Sequence, residues 1–230
     1  MATTTVLAAQ LGTILKSQNI MLVLAESCTG GMVSQFITSI PGSSVWFDRA
    51  YITYSNQSKI DALNVSSLTL EQFGAVSEQV AVEMALGAFN NNQRIHISDI
   101  NKQLNLHPDK ALNTEIESSF SKLRVNKQNI DAIEINQTKN CNVVAASITG
   151  IAGPKVGYKK SNATLRDSLP TNASNNLRGE KPVGLVCFGF VVNNKISAVT
   201  QHFKGTRRQI RLQATIYVMT QIIALVNQAN

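Results

Sequence analysis

The sequence lacks the cysteine and histidine patterns that would indicate a disulfide framework or a metal site. Its 230 residues contain three histidines and only three cysteines, Cys28, Cys141 and Cys187, at unrelated spacings. The histidines do not have ligand spacing either, so no metal is expected. A Walker loop, a GxGxxG fingerprint and a GxSxG elbow are also missing from the sequence. The cysteine usage favours a reducing compartment, the cytoplasm.

Long apolar runs and strong charge are missing as well. No uninterrupted apolar run approaches the length of about 18 residues that a membrane span needs, and no basic residue precedes Lys16, so neither a membrane partner nor a secretory signal is expected. With 43% hydrophobic and 15% charged residues, the composition excludes a disordered chain. We expect one globular domain over residues 1–230.

Acidic residues are missing from the end of the chain. Residues 182–230 carry five basic and no acidic side chains (net +5), whereas residues 1–89 carry three basic and six acidic ones (net −3). The overall charge of +7 indicates an anionic partner, from a phosphorylated metabolite up to nucleic acid. A single tryptophan and the lack of an aromatic-basic motif argue against nucleic acid.

Short apolar strands alternate with helical patterns along the chain. Strands are predicted at 20–25, 45–54, 143–149, 183–192 and 196–203, and helices at 4–18, 32–40, 55–63, 78–89 and 206–226. The last two strands flank a short Asn-Asn-Lys segment, which is typical of an antiparallel hairpin. This order predicts an α/β fold, a three-layer α/β/α sandwich with a mixed sheet.

Two polar stretches do not fit that alternation and are predicted to be insertions. Residues 90–140 hold many asparagines, with possible helices around 108–123, and residues 155–180 are rich in Ser, Thr, Asn and Lys.

One segment stands between a buried strand and a helix, Glu26-Ser27-Cys28-Thr29-Gly30-Gly31. In an open α/β sheet, ligands bind at the carboxyl ends of strands, and a helix start offers free backbone N–H groups there. Ser27 is a candidate nucleophile, phosphate ligand or simple N-cap. Cys28 is a second candidate nucleophile, although a buried packing role is the more common one.

Two further segments carry candidate site residues. Tyr54 and Lys59 lie five apart across a strand-to-helix junction and could face one site, or could be a half-buried tyrosine and a solvated lysine. Thr149, Gly150 and Gly153 lie at a strand end, where glycines allow a close backbone approach or simply form a loop.

A pair of arginines lies near the start of the last helix. Arg207 and Arg211 are four residues apart, so they share a helix face, where positive charge opposes the helix macrodipole. An anion should compensate it, either a bound phosphate or an Asp or Glu from elsewhere in the fold.

Six short motifs stand out along the chain. They are Ala25-Glu26-Ser27-Cys28-Thr29-Gly30-Gly31, Pro41-Gly42-Ser43-Ser44, Tyr54-Ser55-Asn56 with Lys59, Gly74-Ala75-Val76-Ser77, Thr149-Gly150-Ile151-Ala152-Gly153-Pro154 and Lys181-Pro182-Val183-Gly184. Taken together, these motifs resemble the CinA C-terminal domain family, which includes nicotinamide-nucleotide amidases. The resemblance covers roughly residues 4–89, 141–154 and 181–228.

The resemblance implies a cytoplasmic amidase that converts nicotinamide mononucleotide into nicotinate mononucleotide and ammonia for NAD recycling. It implies a homodimer or higher homo-oligomer that needs no cofactor, with Ser27 as nucleophile. Tyr54 and Lys59 match the residues that would activate it, and either could be the base. The expected substrate contacts are the backbone N–H groups of Cys28, Thr29, Gly30 and Gly31, the loop at Thr149, Gly150 and Gly153, and the side chains of Arg207 and Arg211.

The chain departs from the family pattern in two places. After Pro154 the family continues with Asp-Gly-Gly, whereas Lys155 begins the second predicted insertion here, and Thr206 stands where an aspartate often precedes the arginine. A catalytically impaired nucleotide-binding module of the same fold is therefore the alternative function.

Overall fold

A computed structural model describes residues 2–103, 142–153 and 181–228. Within these ranges the chain forms five strands, six α-helices and one short 3₁₀ turn. The elements are α1 Ala2–Ser17, β1 Met21–Glu26, α2 Met32–Thr38, the 3₁₀ turn Ser43–Val45, β2 Phe47–Ile52, α3 Asn56–Leu63, α4 Ser67–Phe73, α5 Glu78–Gln103, β3 Val143–Gly150, β4 Leu185–Val192, β5 Lys195–His202 and α6 Arg207–Gln228.

The five strands form one mixed sheet in the order β2-β1-β3-β4-β5. β1 lies in the middle of a parallel group, with β2 on one side and β3 on the other, while β4 and β5 run antiparallel to their neighbours. The carboxyl ends of β1, β2 and β3 therefore meet at one edge of the sheet. The mixed sheet predicted from the sequence is confirmed.

Helices cover both faces of the sheet, which confirms the three layers. Leu22 and Leu24 of β1 pack into a core cluster with residues of α1, α2 and α6. Val23 and Ala25, which point the other way, pack against α5 and the short helices beside it. β1 is thus buried on both faces, as its continuous apolar run predicts.

The predicted hairpin between the last two strands is also confirmed. β4 and β5 pair antiparallel with Val192 opposite Lys195, so two residues form the turn. These are Asn193 (φ 47°) and Asn194 (φ 64°), both left-handed, as a tight hairpin turn requires. Asparagine tolerates this conformation better than most residues.

Several predicted element boundaries differ from the structure, and three of them lie in β2 and α5. The strand expected from residue 45 begins only at Phe47, because residues 43–45 form the 3₁₀ turn, and it ends at Ile52 rather than at residue 54. The helix Ser67–Phe73 has no counterpart among the predicted elements; it starts after Ser66, whose hydroxyl accepts from the Thr69 N–H.

The third boundary is the end of α5, predicted at residue 89 but found at Gln103. Two asparagines past the predicted end are bound to neighbouring elements. The Asn91 amide donates to the Ala62 carbonyl at 2.8 Å, and the buried Asn92 amide donates to Asp48 at 2.7 Å. These contacts outweigh the modest helix propensity of asparagine, so residues 90–103 of the predicted first insertion are helical. The helices predicted around 108–123 lie outside the described residues.

α6 is the one helix in the described ranges that is long and apolar enough to cross a membrane, with a mean hydropathy of 1.2. Core helices pass the same test. Here 39% of the apolar stretch is buried within the fold, and the buried side chains of α6 belong to the core cluster shared with α1.

Candidate active site

The candidate site lies where the carboxyl ends of the three parallel strands meet. Ser27 follows β1, Tyr54 follows β2 by two residues, and Gly153 follows β3 by three. β5 ends at the same edge and leads into the start of α6, which brings Arg207 there. The order and direction of the strands therefore bring together residues from four distant parts of the chain.

The turn after β1 is held by the side chain that precedes the nucleophile candidate. Glu26 is fully buried (0% exposed), and its carboxylate accepts from the amides of Gly31 at 2.9 Å, Val33 at 3.3 Å and Ser34 at 2.9 Å. The Ser34 hydroxyl donates to the same carboxylate at 2.6 Å. Glu26 therefore satisfies the free amides at the start of α2 and neutralises the positive end of the helix.

Two glycines allow the turn to reach that geometry. Gly30 (φ 57°) and Gly31 (φ 88°) are both left-handed, a conformation that glycine adopts without a steric penalty. The Gly30 amide donates back to the Ser27 carbonyl at 3.0 Å. Of the four amides expected at the site, those of Gly30 and Gly31 are thus already engaged, while those of Cys28 and Thr29 donate to no other residue in the described ranges.

Lys59 is the side chain that the structure places against Ser27. Its Nζ lies 3.2 Å from the Ser27 Oγ and donates to the carbonyls of Thr53 at 2.8 Å and Ser55 at 3.4 Å. Lys59 is 1% exposed, so its interpretation as a solvated lysine is wrong. The Ser55 and Ser58 side chains form a capping box that starts α3 and aims Lys59 inward.

The electrostatics of this lysine differ from those of a surface lysine. Burial lowers the pKa of Lys59, and the nearby Cys28 opposes that shift. Among the described residues, the only ion pair joins Arg49 to Asp48, so Lys59 has no carboxylate partner there to stabilise its charge. A lysine in this setting loses its proton more easily than one in water.

Tyr54 is placed differently from Lys59, although both belong to the same sequence motif. Its ring is 63% exposed, so its interpretation as half-buried is wrong, and its hydroxyl accepts from Arg207 Nη2 at 2.6 Å. No hydrogen bond joins Tyr54 to Ser27 or Lys59 in the described parts of the chain. The two candidate bases therefore lie in different places, because Lys59 contacts Ser27 and Tyr54 contacts Arg207.

Arg211 links the last helix to the turn after β1. Its Nη2 donates to the Thr29 carbonyl at 2.5 Å, and its buried Nε has no partner among the described residues. The buried Thr29 hydroxyl likewise has none. Neither Arg207 nor Arg211 pairs with an Asp or Glu in the ranges described, so the described part of the fold does not supply the anion expected at this helix start.

The end of β3 and the residues after it contribute shape to the site rather than hydrogen-bonding groups for a ligand. The buried Thr149 hydroxyl donates to the Ala75 carbonyl at 2.7 Å, which ties the loop before α5 to the sheet. A side chain at Gly150 would lie 2.9 Å from the Leu185 carbonyl, and one at Gly153 would lie 3.3 Å from Arg207 Nη1. Both glycines thus permit a close approach, and Gly153 does so beside the arginine.

Cys28 is a packing residue in this arrangement. Its thiol is buried, and burial raises its pKa to about 12, so it stays protonated at neutral pH. The hydrogen bond from Lys59 goes to the Ser27 hydroxyl and not to this thiol, so Ser27 is the better candidate nucleophile.

Two residues of the site were not singled out from the sequence. Thr53 supplies the carbonyl that holds Lys59, and Glu26 holds the turn. The role of the Thr53 carbonyl cannot be predicted from the sequence, because every residue has a backbone carbonyl. The role of Glu26 can be predicted, because a carboxylate that ends an apolar strand just before a helix start is an available partner for that helix's amides.

Comparisons with known proteins agree with the motifs. The model of the CinA C-terminal domain family matches residues 4–97 and 172–226. A nicotinamide-nucleotide amidohydrolase PncC of Enterobacter agglomerans is 34% identical over 212 residues, which cover 92% of this chain and 88% of the relative. The PncC of Escherichia coli K12 is 33% identical over 93% of this chain and 88% of its own length. A CinA-like protein of Petrotoga mobilis is 32% identical over 90% of this chain but only 34% of its own length.

Solved structures show the same fold. A competence/damage inducible protein from Agrobacterium tumefaciens superposes with a TM-score of 0.62 and 27% identity, over 96% of this chain and 94% of that one. A CinA superfamily protein from Klebsiella pneumoniae gives a TM-score of 0.65 at 19% identity and covers 98% of both chains.

Proposed function

The chain belongs to the CinA C-terminal domain family, and we propose that it hydrolyses the carboxamide of nicotinamide mononucleotide to nicotinate mononucleotide and ammonia. The observation that carries this proposal is the buried Lys59, whose Nζ lies 3.2 Å from the Ser27 Oγ. A serine becomes an effective nucleophile only when a neighbouring group takes its proton. Relatives named for this activity, matched over most of both chains, supply the substrate class.

Lys59 is the base in this proposal. A neutral lysine amine has two N–H groups and one lone pair. The carbonyls of Thr53 and Ser55 accept the two N–H groups, which leaves the lone pair for the proton of Ser27. Burial favours that neutral form, because it lowers the pKa of Lys59.

The reaction then has two halves. Ser27 Oγ attacks the carboxamide carbon while its proton passes to Lys59, and the resulting ammonium returns that proton to the leaving nitrogen, so ammonia departs. Water next attacks the acyl-enzyme, gives its proton to Lys59, and releases the acid while Ser27 regains its hydrogen. Every proton is carried by Ser27, Lys59 or water, so the scheme requires no cofactor.

The negative oxygen that forms in each half needs hydrogen-bond donors. The amides of Cys28 and Thr29 are the candidates, because those of Gly30 and Gly31 already donate within the turn. Removal of one such donor typically costs about 10²–10³ in rate.

The phosphate of the substrate is assigned to the two arginines. Arg207 and Arg211 lie on one side of the site, without acidic partners among the described residues, and Arg211 has a buried Nε with no partner there. Gly30 lies beside Arg211 and Gly153 beside Arg207, and neither glycine places a side chain against the guanidinium group. Guanidinium groups bind phosphate oxygens well because their donors form a planar fork.

The proposal extends to the setting of the enzyme. Nicotinate mononucleotide is returned to NAD synthesis, so we place the activity in NAD recycling and in the cytoplasm. We further propose a homodimer or higher homo-oligomer, built from a single domain that carries two insertions.

The test is ammonia release from nicotinamide mononucleotide by the whole protein. The wild type should be active, and Ser27→Ala should lower kcat by about 10⁴-fold or more. Ser39→Ala, an exposed serine at the end of α2, is the matched control and should keep full activity.

Other outcomes separate the alternatives. Calorimetric binding of the nucleotide by a wild type that releases no ammonia would replace the amidase with the catalytically impaired nucleotide-binding module. Equal activity of wild type and Ser27→Ala would refute the serine mechanism.

A further inference from the structure

Glu26 is a buried acidic side chain that the mechanism above does not use. Among the described residues it has no cationic partner, and its carboxylate instead accepts three backbone N–H groups and one hydroxyl. It is adjacent in sequence to the proposed nucleophile. A full set of donors on a buried carboxylate fixes its position closely.

We propose that Glu26 is a positioning residue for the amidase reaction, which holds the turn after β1 so that the amides of Cys28 and Thr29 face the reacting carbonyl; this rests on the proposed function. The carboxylate occupies the amides of Gly31, Val33 and Ser34 and so removes them as competing anion sites. The arginines then bind the phosphate of the substrate, and the amides of Cys28 and Thr29 face its carboxamide.

The backbone at Glu26 and Ser27 is fixed by hydrogen bonds to the neighbouring strands. The position of the turn beyond Ser27 therefore depends on side-chain contacts, among them those of Glu26. The Thr53 N–H donates to the Glu26 carbonyl, and the Ser27 N–H donates to the Ile148 carbonyl, both at 2.9 Å. The Thr53 carbonyl in turn holds Lys59. One backbone hydrogen-bond network thus holds the nucleophile and the base. Beyond Ser27, the turn is held from within by the Glu26 carboxylate and from α6 by Arg211.

The chain offers a matched control in Glu83. This carboxylate also serves the start of a helix, where it accepts from the Ser66 N–H at 2.8 Å and the Thr69 hydroxyl at 2.6 Å. Both of these hydrogen bonds go to the start of α4, and none from Glu83 to the turn after β1 is found in the described ranges. A purely structural capping role would give both glutamates the same phenotype.

The experiment compares Glu26→Gln with Glu83→Gln in the ammonia assay, with thermal unfolding measured for both. A glutamine has one acceptor oxygen instead of two, so it cannot satisfy the same donors. We expect Glu26→Gln to lower kcat by about 10²-fold with KM within about threefold of wild type, because a small displacement of reacting groups has that effect. Glu83→Gln should lower the unfolding temperature and keep kcat within about twofold.

A second variant guards against a failure to fold. Ser34→Ala removes only the hydroxyl donor to Glu26. We expect a smaller loss, about threefold to tenfold in kcat, with KM unchanged. Two outcomes would overturn the proposal. One is a Glu26→Gln variant that does not fold together with a Ser34→Ala variant that keeps the wild-type kcat. The other is an equal loss of kcat in Glu26→Gln and Glu83→Gln.

The outcomes also distinguish this inference from the one on which it rests. A wild type that releases no ammonia from the nucleotide refutes the proposed function. An active wild type whose kcat survives in Glu26→Gln refutes the role of Glu26 alone.

Discussion

The candidate site has two halves that differ in burial and in the kind of bonds they make. In the buried half, Ser27, Lys59 and Glu26 are enclosed and bonded to backbone groups. In the open half, Tyr54 and Arg207 are exposed and joined to each other through a single hydrogen bond. The buried half is suited to chemistry, because its groups are already in place, and the open half is suited to substrate capture.

Substitutions in the two halves should change different kinetic constants. Changes in the buried half should act on kcat, because they alter groups that are needed in the transition state. Changes in the open half should act on KM, because they remove binding that the ground state and transition state share. Three substitutions test that distinction, and their effects should decrease in the order given.

Lys59→Met should have the largest effect, since it removes the proposed base while it keeps a side chain of similar length. We expect kcat to fall by about 10³–10⁴-fold and the affinity for nicotinamide mononucleotide, measured by calorimetry, to stay within about threefold. Lys16→Met, an exposed lysine on α1, is the control and should be silent.

The pH profile checks the same assignment. In the proposed mechanism the neutral amine is the active form, so activity should rise with pH through the pKa of Lys59, which burial places below that of an ordinary lysine. An unchanged profile and kcat in Lys59→Met would move the base to another group, with Tyr54 the first candidate.

Arg207→Ala should have an intermediate effect, confined to binding. We expect KM for nicotinamide mononucleotide to rise by about 10- to 100-fold, with kcat within about threefold, because a charge-assisted phosphate contact is lost. Nicotinamide riboside, which lacks the phosphate, should be hydrolysed equally by variant and wild type. The neighbouring exposed Arg208→Ala is the control, and an equal rise in its KM would indicate general charge attraction instead of a specific contact.

Tyr54→Phe should have the smallest effect. The substitution keeps the ring and removes only the hydroxyl that accepts from Arg207. We expect KM to rise by about twofold to fivefold and kcat to change by less than twofold. A loss of kcat as large as that in Lys59→Met would show that Tyr54 takes part in catalysis. It would contradict the assignment of the open half to binding alone.

The sequence predicted the sheet and the strand–turn–helix segment around Ser27 well, because both depend on local patterns. A continuous apolar run indicated that β1 is buried, and the asparagine pair indicated the hairpin. Ser27 was identified from its place between a strand and a helix and from the motif around it. These signals are contained within a few neighbouring residues.

Other features depend on partners that are distant in the chain. Tyr54 and Arg207 are separated by 153 positions, so their hydrogen bond could not be read from either motif. The continuation of α5 past residue 89 depends on Asn91 and Asn92, whose partners belong to α3 and β2. Local propensity could not anticipate a helix that is extended by contacts with other elements.

The two stretches between the described ranges join the fold at different places. The first, 104–141, leads into β3 at Val143, at the amino end of the parallel strands and therefore opposite the site. The second, 154–180, begins after Gly153, which lies beside Arg207, and ends before Lys181. Lys181 precedes β4 by four residues, and its Nζ donates to the Phe73 carbonyl at the end of α4. The first connection is therefore attached to the described fold at the end of the sheet opposite the candidate site, whereas the second leaves it beside Arg207.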